Sequence, residues 1–484
     1  MEDGGTPQLT TPSNRQPPRA PDARWRLTRW HLARRRHPRD LLHLAPARLL
    51  VLSFALLIGV GTVGLRTLPG LYTGPGLSWT DALFMATSAT CVTGLAVVDV
   101  ATHFTIRGQL WLLVLIQLGG LGLLTFTSGI LLTAGRRLSL RHQQLVAGGS
   151  AQPTVDYRAL VRRVLRLTVI IELTGAALLY GAWVGELGWA GAAWPAVFHA
   201  VSAFCNAGFS TFSDNLVGQS TAVVPLLVIM VLVVLGALGF LTLSELGRET
   251  GPRARRVRLS VNSRLVLTAT LVVIVIGAVT TYVNEADHAL AGLAPAHQVL
   301  NSLFAAAASR TAGFNTMDYG AVTSPTAFAL ILLMFVGGAP GSTAGGVKVT
   351  TAALVLRYAW ARLRGEEYVN LWDRSVPTET VQRAMSVTVI GGSVLVVFFF
   401  ILIAVEPGAA GQTAFLPFMF EATSALSTAG LSMDVTPTLV PEARLVLVVL
   451  MFVGRVGLLS AGAAIALRGR AVEMRFAHED VAVG

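Results

Sequence analysis

Four short segments of the chain share a residue pattern that could coordinate a cation through backbone oxygens. Each is rich in small residues and carries one glycine near its end: FMATSATCVTGL (84–95), FHAVSAFCNAGF (198–209), LFAAAASRTAGF (303–314) and FEATSALSTAGL (420–431). Glycine allows positive φ and has no Cβ to obstruct carbonyl oxygens, which can replace the hydration shell of an ion. The segments therefore predict an ion selectivity filter. Its predicted residues are Val92, Thr93, Gly94, Asn206, Ala207, Gly208, Thr311, Ala312, Gly313, Thr428, Ala429 and Gly430.

The spacing of these glycines indicates a fourfold internal repeat. They lie 114, 105 and 117 residues apart, and each segment stands between two longer apolar runs. Similar segments at a near-constant spacing are the sequence signature of a protein built from structural repeats. The alternative is that a membrane protein rich in glycine and alanine acquires some of this similarity without a repeat.

The elements that must position the segments are apolar helices. Of the 484 residues, 53% are apolar and only 13% are charged, against about 25% charged residues in soluble proteins. Eight apolar runs are long enough to cross a bilayer, which takes about 20 residues. They lie near 47–69, 110–134, 165–186, 221–246, 263–283, 326–358, 386–405 and 443–467. We expect an all-α polytopic membrane protein whose eight transmembrane helices and four re-entrant pore helices surround a pseudo-fourfold pore.

The predicted organisation places the repeats between two polar tails. The repeats are 47–134, 135–246, 247–358 and 359–467, and the second helix of the third repeat is interrupted. A basic tail at 1–46 is predicted to be disordered and attracted to membrane lipid, and a second tail follows at 468–484. The first tail lacks the apolar core of a secretory signal.

Arginines predict the orientation of the chain. Of its 36 arginines, 31 fall in the segments that are cytoplasmic if the amino terminus is cytoplasmic, and Lys348 is the one lysine. By the positive-inside rule both termini are expected in the cytoplasm. The expected location is the plasma membrane, which the protein crosses several times. Eleven acidic residues on the outer side predict a negative mouth that concentrates cations. The alternative to a negative mouth that acts on cations is that the outer loops lack arginine only because membrane insertion excludes it from them.

The sixth apolar run is interrupted by GGAPGSTAGGVK at 337–348. Five glycines and a proline in twelve residues break a helix. This segment could obstruct ions beneath the filter, or it could be a hinge for tight packing. A phosphate-binding P-loop is excluded, because it requires Gly-Lys-Ser/Thr after a strand, whereas Lys348 follows Val347 here. The predicted gating residues are Gly337, Gly338, Gly341, Ser342, Thr343, Gly345, Gly346, Lys348 and Arg455.

Arg455 lies twelve residues into the last apolar run, where a cation costs about 2.5–3.5 kcal/mol. We expect its hydrogen-bond acceptors among the carbonyls of 337–346. Arg455 then either takes part in gating or only holds the helices together. Lys348 either adds to the electrostatic barrier or is a snorkelling anchor at the cytoplasmic boundary.

Other candidate residues carry weaker signals. Cys91, Cys205 and Arg310 share the position three residues before a filter glycine. Two cysteines without histidine do not make a zinc site, so they are interpreted as packing residues. Arg310 is expected behind the filter, bonded to pore-loop carbonyls. Glu172 is interpreted as a structural carboxylate, with an ion ligand as the alternative, and His199 as a packing residue.

These motifs together resemble the Trk/Ktr/HKT superfamily of cation transporters, and most closely the membrane subunit of bacterial Ktr potassium uptake systems. The resemblance rests on four helix–pore–helix units in one chain and on the loops CVTGL, CNAGF, RTAGFNT and STAGLS, and it covers about 47–470. Trk-type relatives carry two further amino-terminal spans, for which 1–46 has no counterpart. Glycine in all four filter positions implies a potassium ion as substrate, held by the filter carbonyls, whereas the residues alone indicate a monovalent cation.

The resemblance also implies partners. It implies a homodimer on a cytosolic ring of RCK-type nucleotide-binding subunits and an intramembrane gating loop, and it leaves sodium coupling open. Neither a cofactor in this chain, an enzymatic activity nor a nucleic-acid partner is expected. One alternative is the channel-like subunit of an ion-pumping ATPase complex, although that relative has ten spans. Another is an intramembrane enzyme using Ser460 or His199. It would need a nucleophile and a general base on facing helices, and the sequence does not indicate such a pair.

Overall fold

The computed structural model describes residues 46–133, 157–249, 259–407 and 415–457. Residues 1–45 of the predicted tail 1–46, the predicted tail 468–484 and Ser460 lie outside the described residues. Within the described ranges the chain is mostly helical, and its strands are limited to one antiparallel pair of two residues each. The predicted all-α class is therefore confirmed for the described part of the chain.

The helices follow in an order that matches the predicted apolar runs. Those before the third filter segment are α1 (Pro46–Thr67), α2 (Trp79–Cys91), α3 (Val100–His103), α4 (Ile106–Thr133), α5 (Tyr157–Cys205), α6 (Val223–Ala237), α7 (Phe240–Glu249), α8 (Val261–Glu285) and α9 (Pro295–Ala308). Those after it are α10 (Ser324–Phe335), α11 (Val349–Leu363), α12 (Thr378–Val405), α13 (Phe415–Ser427) and α14 (Pro441–Val456). Between α11 and α12, β1 (Asn370–Leu371) pairs antiparallel with β2 (Arg374–Ser375).

Four described helices are long and apolar enough to cross a membrane, and a bent pair makes a fifth candidate. The four are Leu50–Thr67, Val161–Cys205, Val261–Glu285 and Thr378–Val405. The other predicted spans correspond to α4, to the divided pair α10 and α11, and to α14. The last predicted span reaches 467, but the described residues end at Gly457.

The fourth predicted span, 221–246, is expected to be one continuous helix, but in the structure it is broken. It breaks between Ala237 and Phe240, and the two halves, α6 and α7, meet at 106°. Gly239 has φ +80°, and two backbone groups at the break bond the interrupted segment of the sixth run instead of their own helix. The amide of Ala339 donates to Ala237 O at 2.9 Å, and the amide of Phe240 donates to Gly341 O at 3.2 Å.

Local sequence explains where the pore helices begin and turn. The Ser78 hydroxyl accepts from the Asp81 amide at 3.1 Å and caps α2, and Pro295 occupies the first turn of α9. Gly188, with φ 71° and ψ 169°, divides α5 into a long helix and a second pore helix. Each of the four glycine segments is thereby attached to a short helix that packs among longer ones.

The pore helices form the buried centre and the long helices face outward. Aromatic residues near the start of the glycine segments, Phe84, Phe198 and Phe420, are completely buried. The long helices expose large apolar side chains, such as Leu173 on α5 (65%) and Phe400 on α12 (72%). Apolar surface of this extent is what a bilayer covers.

Candidate functional site: a glycine ring above an interrupted helix

The four predicted glycines all have positive φ, the backbone conformation that glycine adopts most easily. Their φ angles are 102° at Gly94, 71° at Gly208, 74° at Gly313 and 82° at Gly430. L side chains rarely take this conformation. The backbone conformation therefore favours glycine at all four positions.

The structure brings the four glycine segments together in a closed ring. A Cβ on Gly94 would lie 2.5 Å from Ala207 O, and one on Gly208 would lie 2.7 Å from Ala312 O. A Cβ on Gly313 would lie 3.1 Å from Ala429 O, and one on Gly430 would overlap Thr93 O. Each glycine thus abuts the carbonyl just before the glycine of the next segment, and the fourth returns to the first. Side chains at these positions would meet backbone, which cannot move aside.

A second left-handed residue precedes each glycine by two positions. These residues are Val92, Asn206, Thr311 and Thr428, with φ between 51° and 76°. Left-handed residues end helices, and the amides that follow fold back onto the last turn. In three segments the amide before the glycine donates to a carbonyl five residues earlier, at 2.7–2.8 Å. Sequence reasoning missed this turn because β-branched residues rarely take it; only Asn206 carried a signal.

The ring contains buried hydroxyls without a protein partner. Thr93, Thr311 and Thr428 are fully buried, and their Oγ1 atoms have no hydrogen-bond partner among the described residues. An unpartnered buried hydroxyl is costly unless a ligand or water occupies it. Carbonyl and hydroxyl oxygens are the kind of group that coordinates a cation.

The interrupted segment 337–348 lies against the carboxyl ends of the pore helices. Its ends are held together by a parallel bridge, in which the amide of Gly337 donates to Val347 O at 2.8 Å. A Cβ on Gly345 would lie 2.7 Å from Ser427 O, at the end of the fourth pore helix. The Thr343 hydroxyl donates to Phe204 O at 3.3 Å, near the end of the second pore helix. The segment therefore contacts two of the short helices just before the predicted filter residues.

Arg455 bonds the interrupted segment as the sequence predicts. Its Nη1 donates to Thr343 O, and its Nη2 donates to Gly119 O at 2.7 Å and to Gly120 O at 3.4 Å. Sequence reasoning did not identify the two acceptors on α4. One guanidinium thus joins α14, α4 and the middle of the segment.

Two further cations hold the same segment. Lys348 Nζ donates to Ala344 O at 2.8 Å and ties the end of the segment to its own middle. Arg310 is 1% exposed, and its Nη2 donates to Gly337 O at 3.3 Å. Arg310 was expected to bond carbonyls of the pore loops, but the acceptor that the structure gives it lies in the interrupted segment.

Of the remaining candidates, Glu172 and Cys205 belong to a buried polar cluster with Gln117. Gln117 Nε2 donates to Glu172 Oε2 at 3.1 Å, and the Cys205 thiol donates to Gln117 Oε1 at 3.2 Å. The thiols of Cys91 and Cys205 are free and buried. In the described ranges no group of three or more His, Cys, Asp or Glu residues could hold a metal ion.

Comparison with known proteins agrees with the sequence resemblance. Residues 47–468 match the family TrkH, described as a cation transport protein. The chain is 37% identical over 416 residues to the Ktr system potassium uptake protein B of Bacillus subtilis, covering 85% of this chain and 91% of that protein. It is 35% identical over 413 residues to the protein of the same name from Vibrio alginolyticus, covering 85% and 89%.

The fold also matches a solved structure. The crystal structure of the potassium transporter TrkH from Vibrio parahaemolyticus aligns with a TM-score of 0.71 at 19% identity, covering 89% of this chain and 87% of that chain. Such a likeness shows a common fold. The family match and the extent of the identities then establish that the chain belongs to the TrkH family of cation transport proteins, and that it is a membrane-embedded ion transporter rather than an enzyme.

Proposed function

We propose that this protein translocates potassium ions across the plasma membrane through the glycine ring, which acts as its selectivity filter. The observation that carries the proposal is the closed ring itself, in which each glycine abuts the carbonyl of the next segment. Alternating left-handed residues turn backbone oxygens toward a common space, where they replace water around an ion. Potassium is the preferred ion because all four positions are glycine and because both Ktr relatives are named potassium uptake proteins.

The pore helices add a favourable field. Helices α2, α9 and α13 and the end of α5 lead into the ring with their carboxyl ends. The partial negative charge at a helix carboxyl end stabilises a cation in front of it. Four such ends around one axis favour a single positive charge below the filter.

The architecture that goes with this function is four helix–pore–helix repeats. We assign α1, α2 and α4 to the first repeat and α5, α6 and α7 to the second. Helices α8 to α11 then form the third and α12 to α14 the fourth. The arginine distribution supports eight crossings with both termini in the cytoplasm, which puts the glycine ring toward the outer side.

Gating is assigned to the segment 337–348. It lies beside Ser427 and Phe204, at the ends of two pore helices, where it would obstruct an ion leaving the filter. Arg455, Arg310 and Lys348 each donate to one of its carbonyls. Their charges also raise the electrostatic barrier to a passing cation.

Assembly follows from the resemblance and from the relatives' names, which refer to a system. We propose a homodimer seated on a cytosolic ring of RCK-type nucleotide-binding subunits. The arginine-rich inner segments give that partner a basic face. Pull-down of this chain with and without such a subunit tests the assembly separately from transport.

The test of transport is growth of a bacterium that lacks its own potassium uptake systems. The wild-type chain should restore growth at low potassium, and Gly313→Ser should not. Gly292→Ser is the matched control, since a Cβ on Gly292 meets no atom within 4 Å. Repeating the assay with and without external sodium decides sodium coupling. If the membrane-inserted wild type restores neither growth nor potassium uptake, the proposal is wrong.

A further inference from the structure

We propose that His199 and Glu421 are positioning residues that hold the outer ends of the second and fourth filter segments and thereby set ion selectivity. The inference rests on the proposed filter. Both side chains are completely buried. Each lies nine residues before its filter glycine, so the two occupy the same position in their repeats.

In the second repeat the contacts form a chain that ends on the filter. His199 Nδ1 lies 2.8 Å from Pro195 O, a carbonyl, so Nδ1 carries a proton and donates. His199 Nε2 therefore accepts from the Ser210 hydroxyl at 2.9 Å, and the single proton of that hydroxyl is shared with Asn215 O at 3.0 Å. Asn215 Nδ2 then donates to Gly208 O, the filter carbonyl, at 3.2 Å. The ring orientation of His199 is thus connected to the position of the filter glycine.

In the fourth repeat the carboxylate of Glu421 bonds the loop that follows the filter glycine. Glu421 Oε1 accepts from the Ser432 hydroxyl, and Oε2 accepts from the Thr436 hydroxyl at 2.9 Å. The backbone amides of Met433 and Thr436 also bond this carboxylate. Ser432 stands two residues after Gly430, as Ser210 stands two after Gly208. Hydrogen bonds to a carboxylate are about twice as strong as neutral ones, so this loop is held firmly.

The first and third repeats have no counterpart of this contact. The residue nine before the glycine is Met85 in the first repeat and Phe304 in the third, both buried. Neither side chain can accept a hydrogen bond from the loop as a carboxylate can. Because the ring closes in chain order, the second and fourth repeats lie opposite each other. The polar supports at this repeat position therefore act on one diagonal of the filter.

The expected consequence of losing a support is a change in ion preference. A loop that shifts by a fraction of an ångström moves its carbonyl oxygens relative to the ion, whereas the long helices that hold the fold are untouched. Glu421→Gln keeps the side-chain shape but loses the charge, and Ser432→Ala removes the donor on the loop. Each should lower the potassium-to-sodium flux ratio by about tenfold, the effect of one lost hydrogen bond to a charged group.

The experiment measures potassium and sodium flux into liposomes that contain the purified full-length protein, normalised to folded protein. Glu421→Gln, Ser432→Ala and His199→Gln are compared with Met85→Leu and Phe304→Leu, which disturb packing at the same repeat position without removing a hydrogen bond. We expect a lower flux ratio in the first group and a wild-type ratio in the second. The Ser432 variant retains a test of the support if the Glu421 variant fails to fold.

Two results would overturn the inference. One is an unchanged flux ratio in Glu421→Gln and Ser432→Ala; the other is an equal change in the Met85 and Phe304 variants. Gly313→Ser in the same assay separates this failure from failure of the filter. If the glycine variant changes the ratio and the support variants do not, the filter stands and the supports are structural. If the glycine variant also has no effect, the filter assignment is wrong and the inference falls with it.

Discussion

Arg455→Gln should increase potassium flux through the folded protein. The guanidinium of Arg455 donates to Thr343 O in the interrupted segment and to Gly119 O on α4. A hydrogen bond that involves a charged group contributes about 1.5–3 kcal/mol. Glutamine is shorter and uncharged, so it can replace at most one of these bonds weakly. The closed position of the segment should lose the equivalent of about one such bond.

That loss sets the size of the effect. About 1.5–3 kcal/mol corresponds to a change of about 10- to 150-fold in the ratio of displaced to closed segment. Flux should rise by about tenfold or more if the segment obstructs ions for most of the time. Removing a positive charge beside the ion path lowers the barrier as well, so both effects have the same sign. The potassium-to-sodium ratio should not change, because the glycine ring is untouched.

The assay is potassium flux in liposomes at matched amounts of folded protein. Arg444→Gln is the matched control, because Arg444 lies on the same helix and loses the same charge. Arg444 pairs with Asp81 and donates to Pro437 O at 3.0 Å, away from the interrupted segment. If Arg455→Gln only lowers thermal stability and leaves flux per folded protein at the wild-type value, Arg455 is structural glue and the gating argument is refuted.

The remaining predictions concern the segment, the filter and the outer mouth. Deleting 340–345 should raise flux and reduce its dependence on a cytosolic partner, whereas a folded deletion variant with lower flux would indicate a packing hinge. Lys348→Gln should raise flux less than Arg455→Gln, since it ties the segment only to itself. Gly313→Ser should lower the potassium-to-sodium flux ratio, because a side chain there meets backbone; an unchanged ratio would contradict the filter. Burial and the neighbouring carboxylate of Asp318 raise the pKa of Asp434, so the folded protein holds this proton more strongly than the unfolded chain and loses stability as pH rises through that range. Asp434→Asn should therefore raise the melting temperature at pH 7, with a gain that shrinks toward acid pH; an equal gain at every pH would contradict the pairing.

Much of the candidate site could be predicted from sequence because glycine has few substitutes. Where backbone meets backbone at positive φ, as at Gly94 and Gly430, no other residue fits. The same reasoning located the interrupted segment, since its glycines and Pro340 cannot continue a helix. The expected bond from Arg455 to that segment is confirmed because a membrane-embedded charge must find carbonyls.

Other features depend on contacts that are distant in sequence. The break between Ala237 and Phe240 was missed because the run is apolar throughout, and only the bonds to Ala339 and Gly341 make the break favourable. The acceptors of Arg455 on α4 were missed because helical carbonyls are normally occupied by their own helix. Glu421 could have been found as a polar residue in a buried repeat position, had the repeats been compared beyond the glycine.

The central claim is that the glycine ring binds potassium, and an experimental structure with a heavy analogue of the ion tests it most directly. Crystals of the full-length protein grown in rubidium or thallium would reveal a bound ion by its anomalous signal. The account predicts a peak on the axis of the ring, within coordination distance of the carbonyl oxygens of Thr93, Ala207, Ala312 and Ala429. An occupied site elsewhere in the protein, with no peak in the ring, would contradict it.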